Sequence, residues 1–451
     1  MGCAGKRVDQ LEPVETGGIN SSTPDSTVGP NPGTQAAIVD DQLIVLDPSN
    51  GYRALLNASA ALVFTAFTTD RRVGDVVAQL VDETGVAADD LVPDVLDTVD
   101  RLLVQGLLTR GGIGAASERV EPVSADTPDD VDDDPTIGRT WSFVSGVRAA
   151  AGVPVVVRVE PAALAVEIAE ALGALSPAGT PPGDGAVVHL AIIAGPDGTT
   201  GGSGAAGTAN SSVSPSDEED EDTALIVVDG RVRSNRLPHA GAVASLFDLL
   251  DREVAGRAAG LRFHAGAVER DGNVVVIVGQ SGHGKSTLTA ALVQAGWRYL
   301  TDELVVVDAT TFAVAPYARP LDLNQQSMDQ LHIGSADLVT GARKDKVFPS
   351  RLGQLSAGGR VAAIIVLTGE PPEDGDLVTD LATPEAVMAL LALTFAATFE
   401  DADALECLAR LCSATLTVRL SRAPIDTMVG ALEETLAAVV PGGASGTTVT
   451  E

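Results

Sequence analysis

The stretch Val274-Val275-Val276-Ile277-Val278-Gly279-Gln280-Ser281-Gly282-His283-Gly284-Lys285-Ser286-Thr287 decides how this chain is read. Its first five residues are apolar and β-branched, the composition of a buried strand. Leu288-Thr289-Ala290-Ala291-Leu292-Val293-Gln294-Ala295 follows as a helix. The pattern GxxxxGKS thus lies between strand and helix, the arrangement of a P-loop. Its glycines let backbone N–H groups turn inward around phosphates. The helix start adds a partial positive charge. Residues 279–287 are therefore the expected nucleotide site, with backbone contacts from Gly279, Gln280, Ser281, Gly282, His283 and Gly284. Lys285 is expected to reach the β- and γ-phosphates, and Ser286, next to Thr287, to ligate Mg2+. The whole chain has four lysines, and one of them stands here. His283 occupies a place where a small or aliphatic residue is common, and a ring near phosphate would make the site sensitive to pH.

The flanks narrow the chemistry. Upstream runs Leu261-Arg262-Phe263-His264-Ala265-Gly266-Ala267-Val268; downstream runs Gly296-Trp297-Arg298-Tyr299-Leu300-Thr301-Asp302-Glu303-Leu304. The order HA-x-A-V, hairpin, GxSGxGKST, AGW-x-YL-x-DE resembles the HPr kinase/phosphorylase-related kinases, over roughly residues 260–435. That resemblance implies an α/β P-loop kinase core of the HPr kinase/PEP carboxykinase type. It also implies ATP and Mg2+ as cofactors and a serine hydroxyl as acceptor. It makes Asp302 the general base and a metal-supporting acid, Glu303 the group that orients it or the metal, and His264 the residue that tunes Asp302. Taken without the resemblance, His264 also reads as a core histidine, and Asp302-Glu303 as a turn pair. Asp308, ending the run Leu304-Val305-Val306-Val307, is then a rival metal acid. The signature that follows the acids in authentic HPr kinases is not recognisable here, so HPr as substrate and phosphorylase activity are not carried over. A second basic cluster, Arg343-Lys344-Asp345-Lys346 with Arg351, is expected to bring positive charge to the transferred group, and Arg319 is a further candidate.

Residues 37–112 form a separate unit. Leu43-Ile44-Val45-Leu46-Asp47 reads as a strand, and Asn57 as the cap of an apolar helix from Ala58 to Phe64. Val73, Val76, Val77 and Leu80 recur at helical spacing, as do Val92, Val95, Leu96, Val99, Leu102 and Leu103. Gly106-Leu107-Leu108 ends the last helix. Three helices with short strands read as a small α+β winged-helix module. The order of Leu55-Leu56-Asn57, then Asp70-Arg71, Val73, Asp75-Val76 and Leu80, then Gly106-Leu107-Leu108 resembles the pyrroloquinoline-quinone synthesis protein D (PqqD) family. The resemblance implies capture of the leader of a ribosomally made precursor peptide as an added strand. Leu43–Leu46 is the expected edge and the helix around 92–103 the other wall. Arg53, Arg71, Arg72, Arg101 and Arg110 are scattered among acids, which favours peptide over DNA.

Composition sets the limits. The 451 residues carry a formal net charge of -33, which argues against a polymer of nucleic acid as partner and against anionic lipid. Aromatics at 3% leave little for base stacking. No apolar run suits a membrane span, MGCAGKR is not followed by a secretory core, and Cys3, Cys407 and Cys412 form no CxxC pair; a cytoplasmic location is the expectation. Residues 1–36 read as a disordered arm, and 113–138, with eight acids against one Arg, as an acidic linker. Residues 139–262 read as an accessory α/β region with a disordered insertion at 196–222, which includes the six acids Asp217–Asp222. Residues 263–440 are the kinase-like domain and 441–451 a flexible tail. Two functions fit. One is an ATP-dependent kinase acting on a hydroxyl of a peptide or small protein held by the first unit. The other is a nucleotide-regulated peptide adaptor without kinase activity. Assembly into a homo-oligomer stays open at this level.

Overall fold

The computed structural model describes residues 22–40, 42–47, 52–110, 134–177, 187–194, 223–234, 237–334, 338–339, 345–372, 375–394 and 403–440. The architecture is mixed α/β with several mixed sheets. The expected insertion at 196–222, the tail at 441–451 and most of the acidic segment lie outside the described residues.

The N-terminal unit runs β1 (Thr27–Pro30), β2 (Gln35–Val39), β3 (Gln42–Asp47), β4 (Tyr52–Leu56), α1 (Ala58–Ala66), β5 (Arg71–Arg72), α2 (Val73–Thr84), α3 (Ala88–Val104) and β6 (Leu108–Arg110). Asn57 caps α1, its side chain accepting from the N–H of Ala60 at 2.9 Å. Two sequence expectations change here. The arm read over 1–36 contains β1, which sits between β5 and β6, with Val28 fully buried. Backbone pairing holds this strand, so its few apolar residues gave no pattern. Leu43–Leu46 is no edge: β3 is the middle strand of the sheet β2-β3-β4, paired along both sides. Its apolar run has a different cause. Leu43 and Val45 face the helices of this unit, while Ile44 and Leu46 face the core of the last unit.

The middle region is a second sheet. Its central strands are β7 (Val153–Val159), β8 (Val188–Ala194) and β9 (Thr223–Val228), β7 and β8 parallel, β8 and β9 antiparallel. Helices α4 (Ala162–Gly173) and α5 (His239–Arg257) cover one face. The sequence suggests a helix from Gly241 to Leu261; the observed one starts at His239 and stops at Arg257, and Leu261 already belongs to the next strand. Leu304, Val306, Tyr317 and Phe348 of the last unit complete this core, so the two regions share it.

The last unit is built on a nine-stranded sheet. Its elements include β10 (Leu261–Phe263), β11 (Gly266–Arg270), β12 (Asn273–Gly279), α6 (Lys285–Gln294), β13 (Arg298–Thr301), β14 (Val305–Val307), β15 (Leu321–Leu323), β16 (Asp345–Val347), β17 (Gly359–Leu367), α7 (Thr383–Leu391), α8 (Ala404–Ala414), β18 (Leu416–Leu420) and α9 (Ile425–Leu436). β12, β17 and β18 are parallel neighbours, and β11 pairs antiparallel with β12. β15 and β16 belong to a separate small sheet. The carboxyl ends of the parallel strands are where a crevice for a ligand is expected in such sheets. Helices α6 and α9 pack on one face, α7 and α8 on the other.

Candidate functional site

The loop after β12 carries two left-handed glycines, Gly282 (φ 88°) and Gly284 (φ 95°). A side chain is strained at such angles, so glycine is what lets the loop curl before α6. Lys285 opens α6 and is buried, with 7% of its surface exposed. Its Nζ donates to the carbonyls of Gly279 (2.8 Å) and Gln280 (3.4 Å). The ammonium therefore lies folded against its own loop. His283 turns away: its Nδ1 is 3.0 Å from the carbonyl oxygen of Leu367. Thr287 hydrogen-bonds Ser327 at 2.7 Å.

Strand register brings the flanking motifs beside this loop. β10 pairs with β14 and β11 with β13, and Phe263 opposite Val305 and Ala267 opposite Thr301 lie on one register, which shifts by one residue beyond Ala267. Between the two ladders, that register sets Ala265 opposite Glu303 and Gly266 opposite Asp302. Ala265 N–H reaches the Glu303 carbonyl at 3.3 Å. Gly266 is required by space: a Cβ there would lie 2.3 Å from Thr289 Oγ1 and 3.5 Å from Asp302 Oδ1.

Asp302 is 4% exposed and accepts a hydrogen bond from Ser286. Its Oδ1 has no partner, a costly state for a buried carboxylate oxygen. Burial above all, with the charge of Glu303, pushes its pKa up to about 7 despite the Ser286 bond and Arg319. His264 Nδ1 donates to Glu303 Oε1 at 2.7 Å. Burial would raise the Glu303 pKa, but His264, Arg319 and Lys285 outweigh it and hold the group below the usual range.

Arg319 is the hub behind these acids, only 2% exposed. Its guanidinium meets Asp251 at 2.6 Å, Asp322 at 3.2 Å and Glu303 at 3.7 Å. Burial opposes its charge, yet Asp251, Tyr317, Asp322 and Glu303 together raise its pKa above the ordinary value. Lys346, also buried, donates to Asp322 at 2.7 Å. The basic cluster is thus divided. Lys346 joins the charged network, Arg351 pairs with Glu170 on α4, and Arg343 and Lys344 lie outside the described residues. Asp308 is exposed and caps a turn, accepting from the N–H groups of Thr310 (3.0 Å) and Thr311 (2.7 Å). These bonds lower its pKa.

Sequence reading missed Asp251 and Asp322. Asp251 lies 51 positions before Asp302, on an amphipathic helix where an inward acid carries no motif. Among the described residues, no group of three or more His, Cys, Asp or Glu is arranged to hold a metal alone. Ser286 and the unpartnered Asp302 oxygen are nevertheless hard oxygen donors at one place. That fits Mg2+, which takes one or two protein oxygens and completes its shell with phosphate and water. No described helix is long and apolar enough to cross a membrane.

Comparison with known proteins finds one family model and solved structures similar to parts of the chain. Residues 42–108 match the family model of Coenzyme PQQ synthesis protein D (PqqD). Among solved structures, the HPr(Ser) kinase/phosphatase from Coxiella burnetii is similar at 12% identity and a TM-score of 0.23, over 39% of this chain and 91% of that one. No curated protein matches the chain. The region from Gln42 to Leu108 is therefore PqqD-like.

Proposed function

We propose that this chain is an ATP-dependent phosphotransferase that phosphorylates a hydroxyl, a serine by preference, on a ribosomally made peptide or small protein captured through its PqqD-like region. The observation that carries this reading is the meeting of Lys285, Ser286 and the unpartnered, buried Asp302 at the mouth of one glycine loop. A nucleotide site alone needs the lysine and the loop. The buried carboxylate beside them adds a group that can take a proton from an acceptor as well as support a metal.

The residues divide the work as follows. Lys285 leaves the loop carbonyls for the β- and γ-phosphate oxygens, trading neutral acceptors for charged ones. Ser286 and Asp302 would hold Mg2+, which when bound would supply charge neutralisation at the phosphates. Asp302 takes the proton of the acceptor hydroxyl while its oxygen bonds the γ-phosphorus and the bond to ADP breaks. Glu303, fixed by His264, lines the same wall and stays anionic. Catalysis is then positioning and charge neutralisation. The peptide enters along an open edge of the β2-β3-β4 sheet, at β2 or β4, by strand addition.

Asp302→Asn is the test. General-base catalysis is worth about 10²–10⁴-fold, so the variant should bind metal-free ATP as before and, with its metal contact weakened too, lose transfer by at least that factor. Titration calorimetry gives the affinity, and the mass gain of one phosphate on a candidate peptide, about 80 Da, gives the transfer. Wild-type protein that binds ATP and peptide together, yet never yields the mass gain, would favour the adaptor reading.

A further inference from the structure

The middle region, which carries no catalytic motif, reaches the site through one side chain. Asp251 stands on α5 and is 8% exposed. One oxygen accepts from the Tyr317 hydroxyl and the other from Arg319, both at 2.6 Å. The same helix brings Phe247, whose ring centroid lies 6.0 Å from the Arg319 guanidinium carbon. Arg319 in turn stands 3.7 Å from Glu303, and Glu303 is the partner of His264 at 2.7 Å. A chain of four side chains thus runs from α5 to the wall of the glycine-loop site. Arg319 faces three carboxylates, so its position is a balance of pulls, and Asp251 supplies the shortest contact.

We infer that Asp251 is a positioning residue for the reaction: it holds Arg319 back from Glu303, and so fixes Glu303 against His264. The inference rests on the phosphotransfer reading for its kinetic consequence, though not for its geometry. Without the Asp251 charge, Arg319 swings onto Glu303 and draws it away from His264. The middle region is then part of the active site, which explains why its core is completed by Leu304 and Val306 beside the Asp302-Glu303 pair.

The experiment compares Asp251→Asn with Leu250→Ala in the full chain. Leu250 is fully buried one position away on α5 and makes none of these polar contacts, so its truncation destabilises the helix core alone. ADP formation from Mg·ATP, with a serine-containing peptide present as acceptor, is followed below both melting transitions. The side-chain nitrogen resonances of His264 are read by 15N NMR and assigned by the loss of signal in His264→Gln. The expected result for Asp251→Asn is a kcat lowered tenfold or more, a KM for ATP within twofold, and shifted His264 resonances. Leu250→Ala should lower the melting temperature but leave kcat and the His264 resonances in place. Unchanged kcat and resonances in Asp251→Asn would overturn the inference, as would Leu250→Ala reproducing both changes. Wild-type protein that binds Mg·ATP yet forms no ADP with the peptide present, while Asp251→Asn still moves the His264 resonances, would sink the phosphotransfer reading and leave the positioning role standing.

Discussion

At the scale of the residue, Asp302 is held against its own stability. A carboxyl with a native pKa of about 7, against an ordinary value of 3.8, binds its proton more tightly folded than unfolded. Its contribution is therefore fullest below the ordinary value. It is lost as pH rises towards 7. Asp302→Asn removes the charge and with it that loss. In metal-free, nucleotide-free protein the variant should melt above wild type at pH 8, with the gain shrinking at pH 5; thermal scans at the two values check this. A gain that is equal at both would contradict a buried, proton-hungry Asp302. Such a cost is common where stability yields to function. Lys285 was picked out by the glycine-loop motif, which fixes residue types at set distances in sequence; His264, Asp302 and Glu303 were singled out through the resemblance, and the structure sets them together near that loop. Asp251 was not, because its partner Arg319 is met only through tertiary packing, and Asp322, three residues after Arg319, carries no motif of its own.

Among elements, the pairing of 261–270 with 298–307 does most for the site. Its register runs unbroken from Phe263 opposite Val305 to Ala267 opposite Thr301 and shifts by one residue at Val268; between the two ladders the pairing thins, and there His264, Asp302 and Glu303 gather. Gly266 makes that possible by leaving room for two oxygens. Gly266→Ala should therefore displace Asp302 and Thr289 and cut phosphoryl transfer at least tenfold, while ATP affinity, set mainly by the loop and Lys285, changes little. Comparing Kd with kcat separates the two effects. Strands and helices with strong periodicity were visible beforehand, as with β12, α2 and α6. β1 was not, since strand pairing leaves no mark on a Gly- and Pro-rich segment. The apolar run of β3 was read correctly as a strand and misplaced as an edge, because a run buried on both faces looks the same whatever covers each face.

For the whole molecule, the PqqD-like region is not a bead on a string. Ala37, Val39, Ile44 and Leu46 pack in one core with Leu405, Leu408 and Cys412 of α8. Deleting residues 1–112 would bare that apolar face. The truncated chain should bind a hydrophobic dye and melt lower than the full chain, whereas a detachable tether would leave both unchanged. The acidic balance of the chain fits a partner recognised through backbone pairing rather than through a charged surface.

The double burial of β3 has a further consequence. A strand that belongs to two cores has its amides protected by both, so they exchange with solvent only when both open together. Any ligand that stabilises the glycine-loop domain then slows deuterium uptake in Gln42–Asp47, a segment that never touches it. Occupancy of the glycine loop would be written into the rigidity of the β2-β3-β4 sheet, a coupling carried by shared packing and needing no change of shape.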